Sequence, residues 1–542
     1  MKCRTLLFAV LFATTLAAQT PAPKEPAKCT VQGQVVQEPG GQPLKKVNIR
    51  LAGSGGYAAV TDAEGHFKIE DVMPGNYRMW AGRIGFVDAQ KRHADYWYQS
   101  LSLDPGQELK DLVIRLQPAA VIVGKIVDDD GDPQVSVRIS VSRYRSTPKQ
   151  RFDEQSAEST NDLGEFRIGG LSPGRYIVSA SPGFRQALQE GKKEQSKETT
   201  LLTTTYYPGT TDKSQAVPLE LHAGDEVPVN FSLASARAFN IRGTIRLPNF
   251  GTEWIMLEIR DHNGIEQASV DENGSFEIEG VLPGSYTARL VTVSGGVPEV
   301  MRIDPKIEVT NADVDGVRLV PHPTGQVRGQ FRMDSGQKMD WSKVGVQLSD
   351  DDDSDSFAGR TYSGEASTNA KVKNDGSFEL KNVPAGTYHL LATSEDPKLR
   401  DYFVKTVNLG GRDVGDAGLT VAGGTYSLDV VASPNGVTIE GTVVDAKDHP
   451  VADATVVCVP DAKRRKRSDL YQQDTSDQHG HFRLHGLNPG EYTVLAFEEL
   501  GDDYHDPDFV KAYQTQSETV KIEEGGSKSV QVKVIPASEE QP

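Results

Sequence analysis

Apolar residues in this chain recur at every second position over short stretches bounded by glycine, proline, asparagine and aspartate. Such alternation puts the apolar set on one face of a strand. It is clearest at Val47, Ile49 and Leu51, at Val137, Ile139 and Val141, and at Ala454, Val456 and Cys458. No stretch reads as a long helix, so the pattern predicts an all-β chain of short strands.

One pattern organises the rest. Asp62-Ala63-Glu64-Gly65-His66-Phe67-Lys68-Ile69 is followed by Pro74-Gly75-Asn76-Tyr77, and related stretches return four more times. The recurring positions are Gly65, Phe67, Gly75 and Tyr77; Gly164, Phe166, Gly174 and Tyr176; Gly274, Phe276, Gly284 and Tyr286; Gly376, Phe378, Gly386 and Tyr388; and Gly480, Phe482, Gly490 and Tyr492. The first Gly and the Tyr are always 12 residues apart. The fourth copy departs once, with Val383-Pro384-Ala385-Gly386 separating Pro from Gly. A Gly after Asp, Asn or Glu supplies the positive φ of a tight hairpin turn. Phe67 and Ile69 share one strand face, the Pro-Gly turn reverses the chain, and Tyr77, Met79 and Ala81 alternate on the return strand. The motif therefore predicts a β-hairpin whose repeated residues pack, with each tyrosine anchoring its hairpin to the sandwich.

The motif glycines lie 99, 110, 102 and 104 residues apart, which divides the 542 residues into five units of sandwich size. Each unit opens on a Gly-containing strand (Gly33, Gly124, Gly243, Gly329, Gly441) and closes on two alternating strands, as in Leu101–Leu103 and Leu112–Leu116. The boundaries expected are a signal peptide at 1–19, a Pro-rich spacer at 20–29, sandwiches at 30–118, 119–237, 238–322 and 323–421, a linker hairpin at 422–436, and a fifth sandwich at 437–537. Linkers such as Leu116-Gln117-Pro118-Ala119 are very short, and short Pro-containing linkers favour a semi-rigid array. Five units, each with a radius of gyration of about 13 Å, would span roughly 150–200 Å end to end.

Charge and cysteine usage narrow the picture. The net charge is −18, and phosphate binding needs a basic face, so a nucleic-acid partner is not expected. The basic run Lys463–Arg467 reads as a solvated loop. The acidic run Asp350–Asp353 with Asp355 lacks the spaced ligands, Gly and terminal Glu of a calcium loop. Lys2 and Arg4 precede an apolar run from Leu6 to Ala17, the pattern of a secretory signal cut near residues 17–19. No later segment approaches the roughly 20 apolar residues of a membrane helix. Removal of the signal leaves Cys29 in the spacer and Cys458 as a buried free thiol.

The opening Gly-x-Val strands, the Asp/Asn-x-x-Gly-x-Phe-x-Ile hairpins and the Pro-Gly-x-Tyr turns resemble the carboxypeptidase regulatory-like domain. That domain is a transthyretin-like sandwich related to Cna-B-type repeats of surface proteins and also classed with carbohydrate-binding-like sandwiches. The resemblance covers residues 30–537 in tandem. It implies five transthyretin-like or Ig-like antiparallel β-sandwich domains in an elongated array, and no cofactor. The peptidase half is not seen: no His-x-x-Glu zinc motif with a distant His occurs.

Three features could carry chemistry. His479, His481 and His485 cluster, with His479 and His481 on one strand face; His481, however, occupies a slot filled elsewhere by His66, Glu165, Ser275 and Ser377, a solvent position, so no metal site is expected. No Gly-x-Ser-x-Gly, phosphate loop or Cys-x-x-Cys occurs, and no catalytic residue is assigned. Aromatic segments precede the closing strands: Tyr96, Trp97 and Tyr98, then Tyr206 and Tyr207, then Tyr402 and Phe403, then Phe509 and Tyr513, with Val297–Met301 instead in unit three. Sugars stack on such faces, although the same aromatics could cap the sandwich ends. The sequence thus supports a non-catalytic scaffold or interaction protein of the cell envelope, with a carbohydrate-binding array as the alternative. Its expected partner is an envelope protein or polysaccharide, and its expected location is secreted, periplasmic or on the outer cell surface.

Overall fold

The computed structural model describes residues 26–89, 97–145, 151–182, 200–246, 254–260, 265–294, 297–350, 368–394, 396, 399–498, 500, 502–505 and 507–536. The first unit shows how each is built. One sheet places Cys29–Gln37 between the motif strand His66–Val72 and the closing strand Glu108–Pro118. The other orders Gly56–Val60, Asn48–Gly53, Gly75–Gly82 and Trp97–Leu103, all antiparallel. Alternate residues of both sheets meet in one core, with Val31, Ile49, Phe67, Met79, Leu101 and Ile114 buried. A separate core of this kind lies in each of the five motif-bearing stretches.

Two backbone features recur. The opening Gly sits beneath the motif ring or the closing strand: a Cβ on Gly124 would lie 1.8 Å from the Val229 carbonyl and 2.7 Å from the Phe166 ring. The residue six beyond the motif Gly is left-handed in every unit, as Asp71, Gly170, Gly280, Asn382 and Gly486. Beside it the ladder to the opening strand shifts register, the signature of a β-bulge. Asp, Asn and Gly tolerate that conformation at least cost.

The strand content and sandwich layering match the all-β expectation, and four details correct it. The sheets are not wholly antiparallel, because opening and closing strands run parallel in every unit. A parallel neighbour needs a long crossover, and here the rest of the unit provides it. Second, residues 422–436 form no linker hairpin. Gly424–Ser433 is unit four's closing strand, burying Leu428 and Val430 beside Gly325–Met333. Third, Cys29 lies outside any spacer. It begins the first strand, buried in phase with Val31, and its thiol donates to the Asp104 carbonyl at 3.1 Å.

Fourth, the units are not strung out as an end-to-end array. Neighbours meet through Ala119 N–H donating to the Gly85 carbonyl, through Leu201, Ala238 and Leu282, and through the Arg302–Asp350 ion pair. In addition, unit one touches unit five: Ser100 forms a bridge with Asp477. A straight rod would hold those residues at opposite ends.

Candidate functional site

The motif tyrosines share one hydrogen bond. Tyr77, Tyr176, Tyr286, Tyr388 and Tyr492 are all buried. Their hydroxyls donate to the carbonyls of Met73, Ser172, Leu282, Pro384 and Asn488, each four residues upstream, at 2.8–3.0 Å. Unit four keeps this bond although its proline has moved. Burial raises these phenols where a shift is resolved, Tyr77 to about 12. In four units an Asp or Asn three residues before the motif Gly accepts two turn N–H groups: Asp62, Asn161, Asp271 and Asp477. Phe67, Phe166, Phe276, Phe378 and Phe482 lie in their unit's core.

The aromatic segments do not form a common platform. Trp97 is 4% exposed and belongs to the core, in phase with Leu101 and Leu103, so its face is closed to a sugar. Tyr98 lies on the opposite face beneath the Arg78 guanidinium, 5.5 Å from its ring centre. Tyr96 lies outside the described residues. Tyr207 packs edge-on against Phe231 at 5.9 Å, and partial burial pushes the Tyr206 phenol up. Tyr513 meets Phe497 edge-on at 5.3 Å, over a second apolar cluster that covers the outer face of Thr455–Pro460.

What the sequence reading missed lies between units four and five. A cleft of about 440 Å³ opens there, its lining including Trp341, Arg400, Tyr402, Asp469, His485 and Asn488. The two units approach closely because two glycines let them. A Cβ on Gly436 would fall 2.4 Å from the Asp401 carbonyl, and one on Gly486 would fall 2.3 Å from the Arg400 carbonyl. Gly436 N–H donates to the Asp401 carbonyl at 2.8 Å, and the Asn488 amide donates to the Val404 carbonyl at 2.8 Å. Asn488 thus serves twice, its own carbonyl holding Tyr492 and its side chain holding unit four.

Ion pairs flank the cleft. Arg467, 7% exposed, grips Asp469 through two nitrogens at 2.8 and 2.6 Å and reaches Asp416 of unit four at 2.9 Å. Lys405 joins Asp334 at 3.2 Å and Glu524 of unit five at 2.7 Å, while Ser433 donates to Glu524 at 2.6 Å. The basic run is therefore solvated only in part, at Lys463 and Lys466. Arg467 is desolvated by its pairing, and Arg464 lies over the Tyr492 ring and donates to the Pro489 carbonyl. Charge patterning alone hides this, because Asp416 comes from another unit and the burial of Arg467 depends on the junction.

The three histidines part company. His479 and His481 have ring centres 6.1 Å apart in an exposed turn, whereas His485 faces Asp401 of unit four at 3.5 Å. Burial, aided by Arg483 and Arg400, holds the His485 imidazole below its usual value. Among the described residues, no three His, Cys, Asp or Glu side chains converge as a metal ion would need. Burial raises the Cys458 thiol far above its ordinary range, which removes it as a nucleophile. The cleft combines an apolar wall with fixed polar groups, an arrangement suited to binding. Among the described residues no helix is long and apolar enough to cross a membrane.

Parts of the chain are similar to known proteins. The family model described as the carboxypeptidase regulatory-like domain matches residues 30–117 and 438–534. No curated protein matched the chain. Among solved structures, the chain is similar to the TIE protein of Bacillus anthracis, at 12% identity and TM-score 0.17, covering 54% of this chain and 51% of that one. It thus spans about half that protein's length. It is also similar to a streptococcal ancillary pilin (11% identity, 54% and 99% covered, TM-score 0.18) and to BcpA, the major pilin subunit of Bacillus cereus (10%, 58% and 99%, 0.14). The two stretches that match the carboxypeptidase regulatory-like model are the first and last units, which share parallel opening and closing strands and the motif hairpin.

Proposed function

We propose that the protein is a non-catalytic interaction scaffold of the cell envelope. Its first 19 residues export it, and its sandwiches lie near 30–118, 119–237, 238–322, 323–433 and 437–537. One observation supports this reading above the rest. The side chains that recur in all five units, the Tyr hydroxyl and the motif Phe, are turned inward and hold each unit together. Recognition then falls to surfaces that differ between units, among them the cleft between units four and five. A glycan-binding reading keeps one support: half-buried Tyr402 lines that cleft beside Arg400 and Asn488, an aromatic face with polar groups around it.

The test is fractionation followed by cross-linking of the full chain in its own cells. The expected result is a processed chain, starting near residue 18–20, in the envelope and cross-linked to a protein. Retention on insoluble envelope polysaccharide that Tyr402→Ala abolishes would favour the glycan reading. An unprocessed chain in the cytoplasm would contradict both.

A further inference from the structure

Strand Trp97–Leu103 is the outermost strand of its sheet, paired with Gly75–Gly82 on one side only. Such an edge offers a row of N–H and C=O groups to any chain that can pair with it. Here three of those groups are taken by a unit that begins more than three hundred residues later. Ser100 N–H donates to Asp453 Oδ1 at 3.3 Å. Ser102 N–H donates to Gln478 Oε1 at 3.1 Å, and Gln478 Nε2 donates back to the Ser102 carbonyl at 2.8 Å. Ser100 and Asp477 form a parallel bridge between the two contacts.

The chemistry of the contact is specific. Residues two apart direct their backbone groups to the same edge, which is why Ser100 and Ser102 act together. A primary amide carries one acceptor and a donor side by side, so a single Gln satisfies both backbone groups of Ser102. Gln478 stands in the motif turn, where the other units have Ala63, Asp162, Glu272 and Asn374. Only Asn374 offers the same pair of functions, on a side chain one methylene shorter. The docking groups are held firmly. Asp477 Oδ1 accepts from His479 N–H and His481 N–H and shapes the turn, and buried Asp453 donates its N–H to the Ser476 carbonyl.

We propose that this contact is an intramolecular latch, in which the turn Asp477–Gly480 of unit five caps the free edge of unit one and closes the chain into a ring. The occupant of the edge is a segment of the same chain, and covalent linkage through short connections raises its effective concentration. Closure also hides an edge that would otherwise template strand addition. The latch does not depend on what the protein binds.

Small-angle scattering with light-scattering mass on the mature full chain tests it. Wild type should be a monomer with a maximum dimension well short of the roughly 150–200 Å of five units end to end. Gln478→Ala should lengthen the particle toward that span. Gln478→Glu should do the same, because a carboxylate has no hydrogen to give the Ser102 carbonyl. The Gln478 side chain takes no part in the hydrogen bonds that shape its own turn, so thermal unfolding of unit five should be unchanged and serves as the folding control. An extended wild type, a closed form found only as a dimer, or variants as closed as wild type would overturn the latch.

Discussion

Unit five has two neighbours, and it meets them by different physics. Against unit four it buries an arginine between carboxylates, threads two glycines under foreign carbonyls and shares Asn488 with its own tyrosine anchor. Against unit one it presents two polar side chains to the backbone of an edge strand. Parting the first contact breaks the Arg467–Asp416 and Lys405–Glu524 pairs together with the cross-unit bonds of Gly436 and Asn488. The second exchanges protein hydrogen bonds for water at little net cost. One side is a joint, the other a catch, and the difference is set by which groups lose water.

The largest expected effect comes from removing the anchor that underlies both contacts. Tyr492→Ala should destabilise unit five by about 3–5 kcal/mol, as truncating a buried aromatic usually does. In calorimetry the transition of unit four should fall with it, while that of unit one stays in place. Independent melting of units four and five would break the comparison. Arg467→Met strands Asp469 and removes charge-assisted bonds worth about 1.5–3 kcal/mol each. Urea unfolding should show the loss in units four and five and none in unit one.

Asn488→Ala sharpens the contrast, since it deletes the bond to the Val404 carbonyl but leaves the Tyr492 anchor. A loss of about 1 kcal/mol is expected in the coupled transition of units four and five. The smallest effect concerns pH. The folded junction holds His485 below its ordinary value of 6.5. The unfolded chain therefore binds the proton more readily, and the stability linked to this residue is complete above about pH 6.5. It is lost as pH falls from there through the lower folded value. Melting of His485→Gln across pH 5–8 should be flatter than that of wild type.

How much of this was legible depends on where the determining residues lie. Phe67, Ile69, Tyr77 and their counterparts are local and repeated, so the hairpins could be read from spacing. The parallel pairing of opening and closing strands could not, because it joins residues about eighty positions apart. The bulge does carry a signal in the sequence: Asp, Gly, Gly, Asn and Gly stand at one fixed offset from the motif glycine. Unit four's closing strand reads as a linker because Phe403–Leu409, a longer counterpart of Phe86–Asp88 in unit one, lies beside it and displaces the expected spacing. At the junction, Arg467 looks like any residue of a basic run until Asp416 arrives from another unit. Trp97 shows the limit for the aromatic sites: a cluster of rings does not say which ring faces inward.

The contrast between joint and catch is tested most directly by native-state hydrogen exchange on the full chain, read at two amides. Gly436 N–H, bonded across the joint, should exchange only with the coupled unfolding of units four and five. Ser102 N–H, bonded to Gln478, should exchange much faster, and Gln478→Ala should speed it further without touching Gly436. Equal protection of the two amides, or a Ser102 rate indifferent to Gln478→Ala, would contradict the account.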